Sequence, residues 1–125
     1  MFILATRKII IAGGRSFNNY ELLKERCDHY LSKAIMNKDN IIIVSGTANG
    51  ADKLGEKYAQ EKGFTIERHP AKWKELGKKA GYVRNKEMAE VSHALIAFWD
   101  NKSRGTKHMI DLAKERKLHV RVVSY

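Results

Sequence analysis

The sequence predicts an α/β protein: a single Rossmann-like three-layer domain on a mostly parallel sheet of about five strands. Three observations predict it. Apolar, β-branched runs alternate along the chain with stretches of helical periodicity. The runs Ile9-Ile10-Ile11 and Ile41-Ile42-Ile43-Val44 are apolar on both faces, as a central parallel strand covered by helices on each side requires. Glycine-bearing turns directly follow both runs, where a strand of an open α/β sheet hands over to a helix.

The strands are expected at 8–12, 41–45, 64–68, 93–99 and 118–123, with the middle one weakest in pattern. Between the first two, a helix over 19–36 places Leu23, Cys27, Tyr30, Leu31 and Ala34 on one face, with Asn18 or Asn19 as its N-cap. A second helix over 50–62 buries Ala51, Leu54, Tyr58 and Ala59 and is closed by Gly63. A third, near 78–91, presents Ala80, Val83, Met88 and Val91. The last, about 104–116, presents Met109, Ile110 and Ala113. Strict alternation of strand and helix implies parallel units with right-handed crossovers. Pro70, the one proline, falls in the connection after the third strand. At 125 residues, without linker, repeat or low-complexity tract, residues 1–125 read as one domain.

No apolar run approaches the ~20 residues that a membrane span needs, so no membrane partner is expected. The opening Met1 to Arg7 is too short for a signal h-region and reads as a preceding edge strand or a loose terminus. Cys27 is the one cysteine, so neither an intrachain disulfide nor a cysteine metal site is available; its place on an apolar helix face predicts a buried structural thiol. These absences point to a cytoplasmic protein. The formal charge of +10 favours a polyanionic or phosphorylated partner, set against the alternative of a solvated lysine-rich surface.

Four segments could carry chemistry. In Gly13-Gly14-Arg15-Ser16, glycines allow close backbone approach to a ligand and Arg15 offers a forked contact to phosphate or carboxylate. The alternative is a turn whose glycines only solve a steric problem. In Ser45-Gly46-Thr47-Ala48-Asn49-Gly50-Ala51-Asp52, the hydroxyls of Ser45 and Thr47 can donate to phosphate. Asp52 falls in a first helical turn, suited to a ribose hydroxyl, to a general base or simply to capping. The glycine spacing is neither the dinucleotide fingerprint nor a P-loop. From Arg68 to Lys86, seven basic residues and one acid interleave with Trp73 and Tyr82, a pattern for base stacking with phosphate contact. Arg84 and Asn85 sit where both can reach one ligand. Finally, Ser103-Arg104-Gly105-Thr106 follows the fourth strand and leads into a helix. The five histidines have no metal-ligand spacing, no Ser–His–Asp set or carboxylate pair can be assembled, and no cofactor is expected.

Taken in order, Gly13-Gly14-Arg15-Ser16-Phe17, Ser45-Gly46-x-x-x-Gly50-Ala51-Asp52, Pro70-Ala71-x-Trp73, Gly77-x-x-Ala80-Gly81-x-x-Arg84-Asn85-x-x-Met88, and Ala97-Phe98-Trp99 followed by Ser103-x-Gly105-Thr106 resemble the YspA (cpYpsA-related) family. That family belongs to the SLOG superfamily, which includes the Smf/DprA DNA-processing proteins and the Lonely Guy phosphoribohydrolases. The resemblance spans about residues 8 to 123. It implies a Rossmann-like fold, a site for nucleotides or nucleotide-derived ligands, and a bacterial or phage setting. SLOG proteins often form dimers, so it also implies a homo-oligomer. The likeness to Lonely Guy enzymes extends over Arg84-x-x-x-Met88, Ser92-x-Ala94 and Gly105-Thr106, then fails. Lys107-His108-Met109 stand where those enzymes carry a glutamate, and His93 replaces an aspartate. Cleaving an N-glycosidic bond develops oxocarbenium character that a carboxylate stabilises and a lysine opposes.

The expectation is therefore a binding protein, a sensor or sequestering protein, rather than an enzyme. Gly13, Gly14, Ser45, Gly46, Thr47, Gly105 and Thr106 would cradle phosphate, with Ser16, Gly50 and Ser103 in the same loops. Arg15 and Arg84 would neutralise it, Asp52 and Asn85 would read ribose or base, and Trp73 would stack. The alternatives are a phosphoribohydrolase-type enzyme using Asp52 and Arg84, and DprA-like binding of single-stranded DNA along 68–86. All require the strand-end loops to converge on one rim of the sheet.

Overall fold

A computed structural model of the protein describes residues 5–125. The expectation of an edge strand or loose terminus over the first residues lies, for residues 1–4, outside this range, while Thr6 and Arg7 open the first strand. Strands β1 (Thr6–Gly13), β2 (Asn40–Ser45), β3 (Thr65–Arg68), β4 (Ala94–Trp99) and β5 (His119–Ser124) form one sheet in the order β3-β2-β1-β4-β5. Every pairing is parallel, so all strands present their carboxyl ends to the same rim.

Alternation within the central strands builds two cores. Ile9, Ile11, Ile41, Ile43, Ile96 and Phe98 face α1 (Tyr20–Tyr30) and α3 (Ala51–Lys62), where Leu23, Cys27 and Tyr58 are fully buried. Ile10, Val44, Leu95 and Ala97 face α5 (Ala80–Val91) and α6 (Arg104–Glu115), against Met88, Met109, Ile110 and Ala113. Each buried isoleucine contributes roughly 1.5–3 kcal/mol. This two-sided burial is why the strands read as continuous apolar runs, and it makes the domain three-layered. Cys27 is buried as its helix face implies. Among the described residues, no helix is long and apolar enough to cross a membrane.

Asn19 caps α1 by accepting the Leu22 N–H at 3.1 Å, and Gly63 closes α3 in the left-handed conformation at φ 76°. Two helices depart from expectation. The stretch 19–36 is not one helix: it breaks at Leu31 (φ −97°, ψ 5°) and resumes as α2 (Ser32–Met36). Leu31 completes the buried row begun by Leu23 and Cys27, but Ile35 and Met36 beyond it are exposed, so the chain turns away from the sheet once its apolar face is used. The helix near 78–91 begins at Ala80, preceded by a short α4 (Trp73–Leu76) and a 3₁₀ turn at Gly77–Lys79. Its buried face is Ala80, Asn85, Met88 and Ala89, whereas Val83 and Val91 lie exposed. A hydrophobicity pattern cannot anticipate this face, because a polar residue, Asn85, occupies its centre.

Candidate functional site

The loops after β1, β2 and β4 meet at the carboxyl rim, as the parallel order requires, and α5 closes the space from the side. They enclose a cleft of about 210 Å³ bounded by Arg15, Asp52, Trp73, Arg84, Asn85 and Thr106, with Gly13, Ser103 and Gly105 also on its wall. A shallower hollow of about 460 Å³ adjoins it, bounded by Gly46, Thr47, Pro70 and Ala71 and sharing Arg15, Trp73 and Arg84. Gly14, Ser16, Ser45 and Gly50 line neither space.

These last four have other partners. Gly14 donates its N–H to the Phe98 carbonyl at 3.2 Å, and its own carbonyl accepts the N–H groups of Phe17 and Ala51, each at 3.2 Å. The first loop is thus tied to β4 and to the start of α3. Gly50 makes the latter contact possible: at φ 81° and ψ −128° it holds a backbone that side chains disfavour, and a Cβ there would run into the carbonyls of Gly14 and Arg15. Ser16 is exposed, near the Tyr125 hydroxyl. Ser45, 1% exposed, donates its hydroxyl proton to Glu56 at 2.7 Å and accepts the Thr47 N–H at 3.1 Å. That second bond braces Thr47 at φ 65°, an unusual conformation for a β-branched residue. Glu56 also accepts from Arg68 Nε at 3.0 Å, so one buried carboxylate joins the ends of β2 and β3 to α3.

Arg84 is the central cation. Its Nη1 donates to the Gly46 carbonyl and its Nε to Asn85 Oδ1 at 3.1 Å. A Cβ on Gly46 would lie 2.6 Å from Arg84 Nη1 and 2.7 Å from Asp52 Oδ2, so the missing side chain admits both charged groups. Burial pushes the Arg84 pKa down, with Asp52 opposing the shift, yet a guanidinium stays charged at any ordinary pH. A guanidinium carries five N–H donors. Its partly buried fork therefore has donors beyond these two bonds to offer an anion.

Asp52, 5% exposed, accepts the Ala48 N–H at 3.1 Å. Burial pushes its carboxyl up to about 6; the Ala48 N–H, Arg84 and Arg15 work against the rise, and Glu56 adds to it. Arg15 lies 5.8 Å from the Trp73 ring centre, forming a cation–π stack at the cleft mouth beside a half-exposed indole.

The third loop is held by Asp100, which accepts the N–H groups of Lys102 at 2.9 Å and Ser103 at 2.8 Å, and by Trp99, whose indole donates to the Ser103 carbonyl at 3.1 Å. Ser103 caps α6 and pairs with the Thr106 hydroxyl at 3.1 Å. A Cβ at Gly105 would meet nothing, so this glycine leaves the cleft open rather than relieving a clash.

Sequence patterning brought Arg15, Asp52, Trp73, Arg84, Asn85 and the Ser103–Thr106 turn to one site. It did not single out Glu56 or His108. The signal for Glu56 was its place four residues after Asp52, on the same helical face. His108 follows Gly105-Thr106 closely, and its Nδ1 lies 3.1 Å from Asn85 Nδ2.

Comparison with known proteins agrees with this fold. A family model described as YspA, cpYpsA-related SLOG family matches residues 7–76, which run from β1 through α4. The Gene 61 protein of Mycobacterium phage D29 is 29% identical over 120 residues, spanning 91% of this chain and 94% of that protein. Among solved structures, DNA processing protein A from Streptococcus pneumoniae superposes with a TM-score of 0.72 at 17% identity over 97% of this chain. DNA processing protein A from Helicobacter pylori, a protein with a single-stranded DNA binding mode, superposes at 0.62 with 20% identity over 95% of this chain. The chain spans 51% and 66% of those two proteins, respectively, and the likeness to them is one of fold. With the matched model covering more than half of its length, the chain belongs to the YspA, cpYpsA-related SLOG family.

Proposed function

We propose that the cleft binds a nucleotide or nucleotide-derived ligand, as a sensor or sequestering site. The observation that carries this reading is the convergence of Arg84, Arg15 and Trp73, from three separate segments, on one cleft. Arg84 and Arg15 neutralise phosphate, and the mouth of α6 at Ser103–Thr106 faces it with a favourable helix end. Trp73 provides a face for the base, and Asp52 and Asn85 are polar groups for ribose or base. Gly13, Gly46 and Thr47 shape the walls. Gly14, Ser45 and Gly50 act one step back, fixing the loops. Calorimetry with nucleoside mono- and diphosphates and cyclic dinucleotides tests the proposal: saturable heat that Arg84→Ala removes is expected, and no heat from any of them would overturn it.

A second reading, single-stranded DNA binding, is favoured by the Arg15–Trp73 stack lying beside exposed Lys72, Lys74, Lys78 and Lys79. It predicts affinity that falls steeply with salt and weakens when those lysines are neutralised. Binding that barely changes with salt would exclude it.

A further inference from the structure

Arg84 is held by a chain of bonds whose far end is a histidine outside the cleft wall. Donor and acceptor identities fix every orientation along it. Arg84 Nε can only donate, so the atom of Asn85 facing it at 3.1 Å is the amide oxygen. The Gly105 carbonyl can only accept, so the atom of Asn85 facing it at 3.2 Å is the amide nitrogen. The second amide hydrogen then points at His108 Nδ1, 3.1 Å away, which must be a bare acceptor. His108 is therefore neutral, with its proton on Nε2.

The surroundings support the neutral form. The half-buried imidazole meets the Tyr82 ring edge-on at 4.5 Å between centres, on the side of α5. Burial holds its pKa below the ordinary 6.5, against the pull of Asp111 and Glu115 on its own helix. Asn85 is 6% exposed, so the amide has no alternative partner in bulk water.

We infer that His108 is a positioning residue for Arg84: by accepting from Asn85 it locks the amide whose oxygen holds the guanidinium, and so presents the cleft's central cation to an anion while the imidazole is neutral. Protonation places an N–H at Nδ1 opposite the Asn85 amide nitrogen, donor against donor. Flipping the amide only moves that conflict to Arg84 Nε. Either way the Asn85 amide is no longer locked, so the Arg84 Nε bond is loosened while the Gly46 bond remains, which couples the site to acidification. The use of this relay in ligand binding rests on the function proposed above; the relay itself does not.

The test therefore has two arms. In the unliganded protein, the Arg84 side-chain Nε–H resonance, assigned by its loss in Arg84→Lys, is followed by NMR in the wild type, in His108→Asn and in His108→Phe. Asparagine supplies an acceptor near Nδ1; phenylalanine keeps the ring against Tyr82 and supplies none. The resonance should be exchange-protected in the wild type and in His108→Asn, and lost in His108→Phe. Lowering the pH through the His108 titration should abolish it in the wild type only. In the second arm, AMP affinity at neutral pH should be unchanged in His108→Asn and about tenfold weaker in His108→Phe, the size of one net hydrogen bond to a charged group. An Arg84 resonance indifferent to His108 and its protonation overturns the relay. Absence of AMP binding by the wild type, with the NMR pattern intact, overturns the choice of ligand and leaves the relay standing.

Discussion

Ser45 and Glu56 meet across 2.7 Å at the junction of β2 and α3, hydroxyl donating to carboxylate, with both residues almost wholly buried. A carboxylate at such depth persists because it is shared. Ser45 occupies one oxygen, Arg68 the other, and Lys53 lies at 3.9 Å.

Replacing Glu56 with alanine leaves the Ser45 hydroxyl and Arg68 without their acceptor and loosens the hydroxyl that braces the Thr47 turn. A loss of about 2–4 kcal/mol in urea unfolding is expected, less than for a fully enclosed pair because Arg68 is half exposed. Ser45→Ala, which strands the Glu56 charge more mildly, should cost less.

Asp52 makes stability fall as pH rises. Its folded carboxyl titrates near 6 against an ordinary 3.8, so folding takes up a proton between those values. The protonated form's advantage is complete below the lower value and is lost through the upper one. At neutral pH the charge costs up to about 3 kcal/mol. Asp52→Asn should be the more stable protein above pH 6 and should lose this advantage near pH 4, as read by thermal melts across the range. Equal pH profiles for the two proteins would refute the assignment.

Gly50→Ala should be among the most damaging single changes. Its φ of 81° and the carbonyls of Gly14 and Arg15 both oppose a Cβ, so a loss exceeding about 2 kcal/mol is expected in denaturant unfolding. Gly105→Ala, where the added methyl meets nothing, should leave stability within about 0.5 kcal/mol.

Arg84→Lys retains the charge but loses the fork that spans Gly46 and Asn85. Binding of a nucleoside monophosphate should weaken about tenfold or more, and the melting midpoint should fall by several degrees because the buried Asn85 oxygen loses its donor. Trp73→Ala should weaken nucleotide binding while sparing inorganic phosphate, separating base contact from charge contact by calorimetry.

The sheet, its parallel sense and the rim of the site were legible because β-branched runs and glycine turns obey local rules that need no partner. Cys27, Asn19 and Gly63 behave as those rules imply. The break at Leu31 and the exposure of Val83 and Val91 were not legible. Each depends on how far a helix face stays over the sheet, a property of the packed molecule rather than of any window of sequence. The roles of Ser45 and Gly14 show the same limit: a hydroxyl or an amide at a strand end can serve a ligand or the fold, and only the distances to Glu56 and Phe98 show which it reaches here.

The Ala51 N–H, at the start of α3, donates to the Gly14 carbonyl. The leading amide of α3, a natural seat for an oxyanion, is consumed by the protein's own backbone. On the function proposed above, recognition of negative charge would fall chiefly to arginine side chains and to the α6 end. Side chains are exchanged by single codon changes, whereas a backbone cradle is not. A lineage built on this scaffold can thus change what it recognises at the rim while its strands and helices remain as they are.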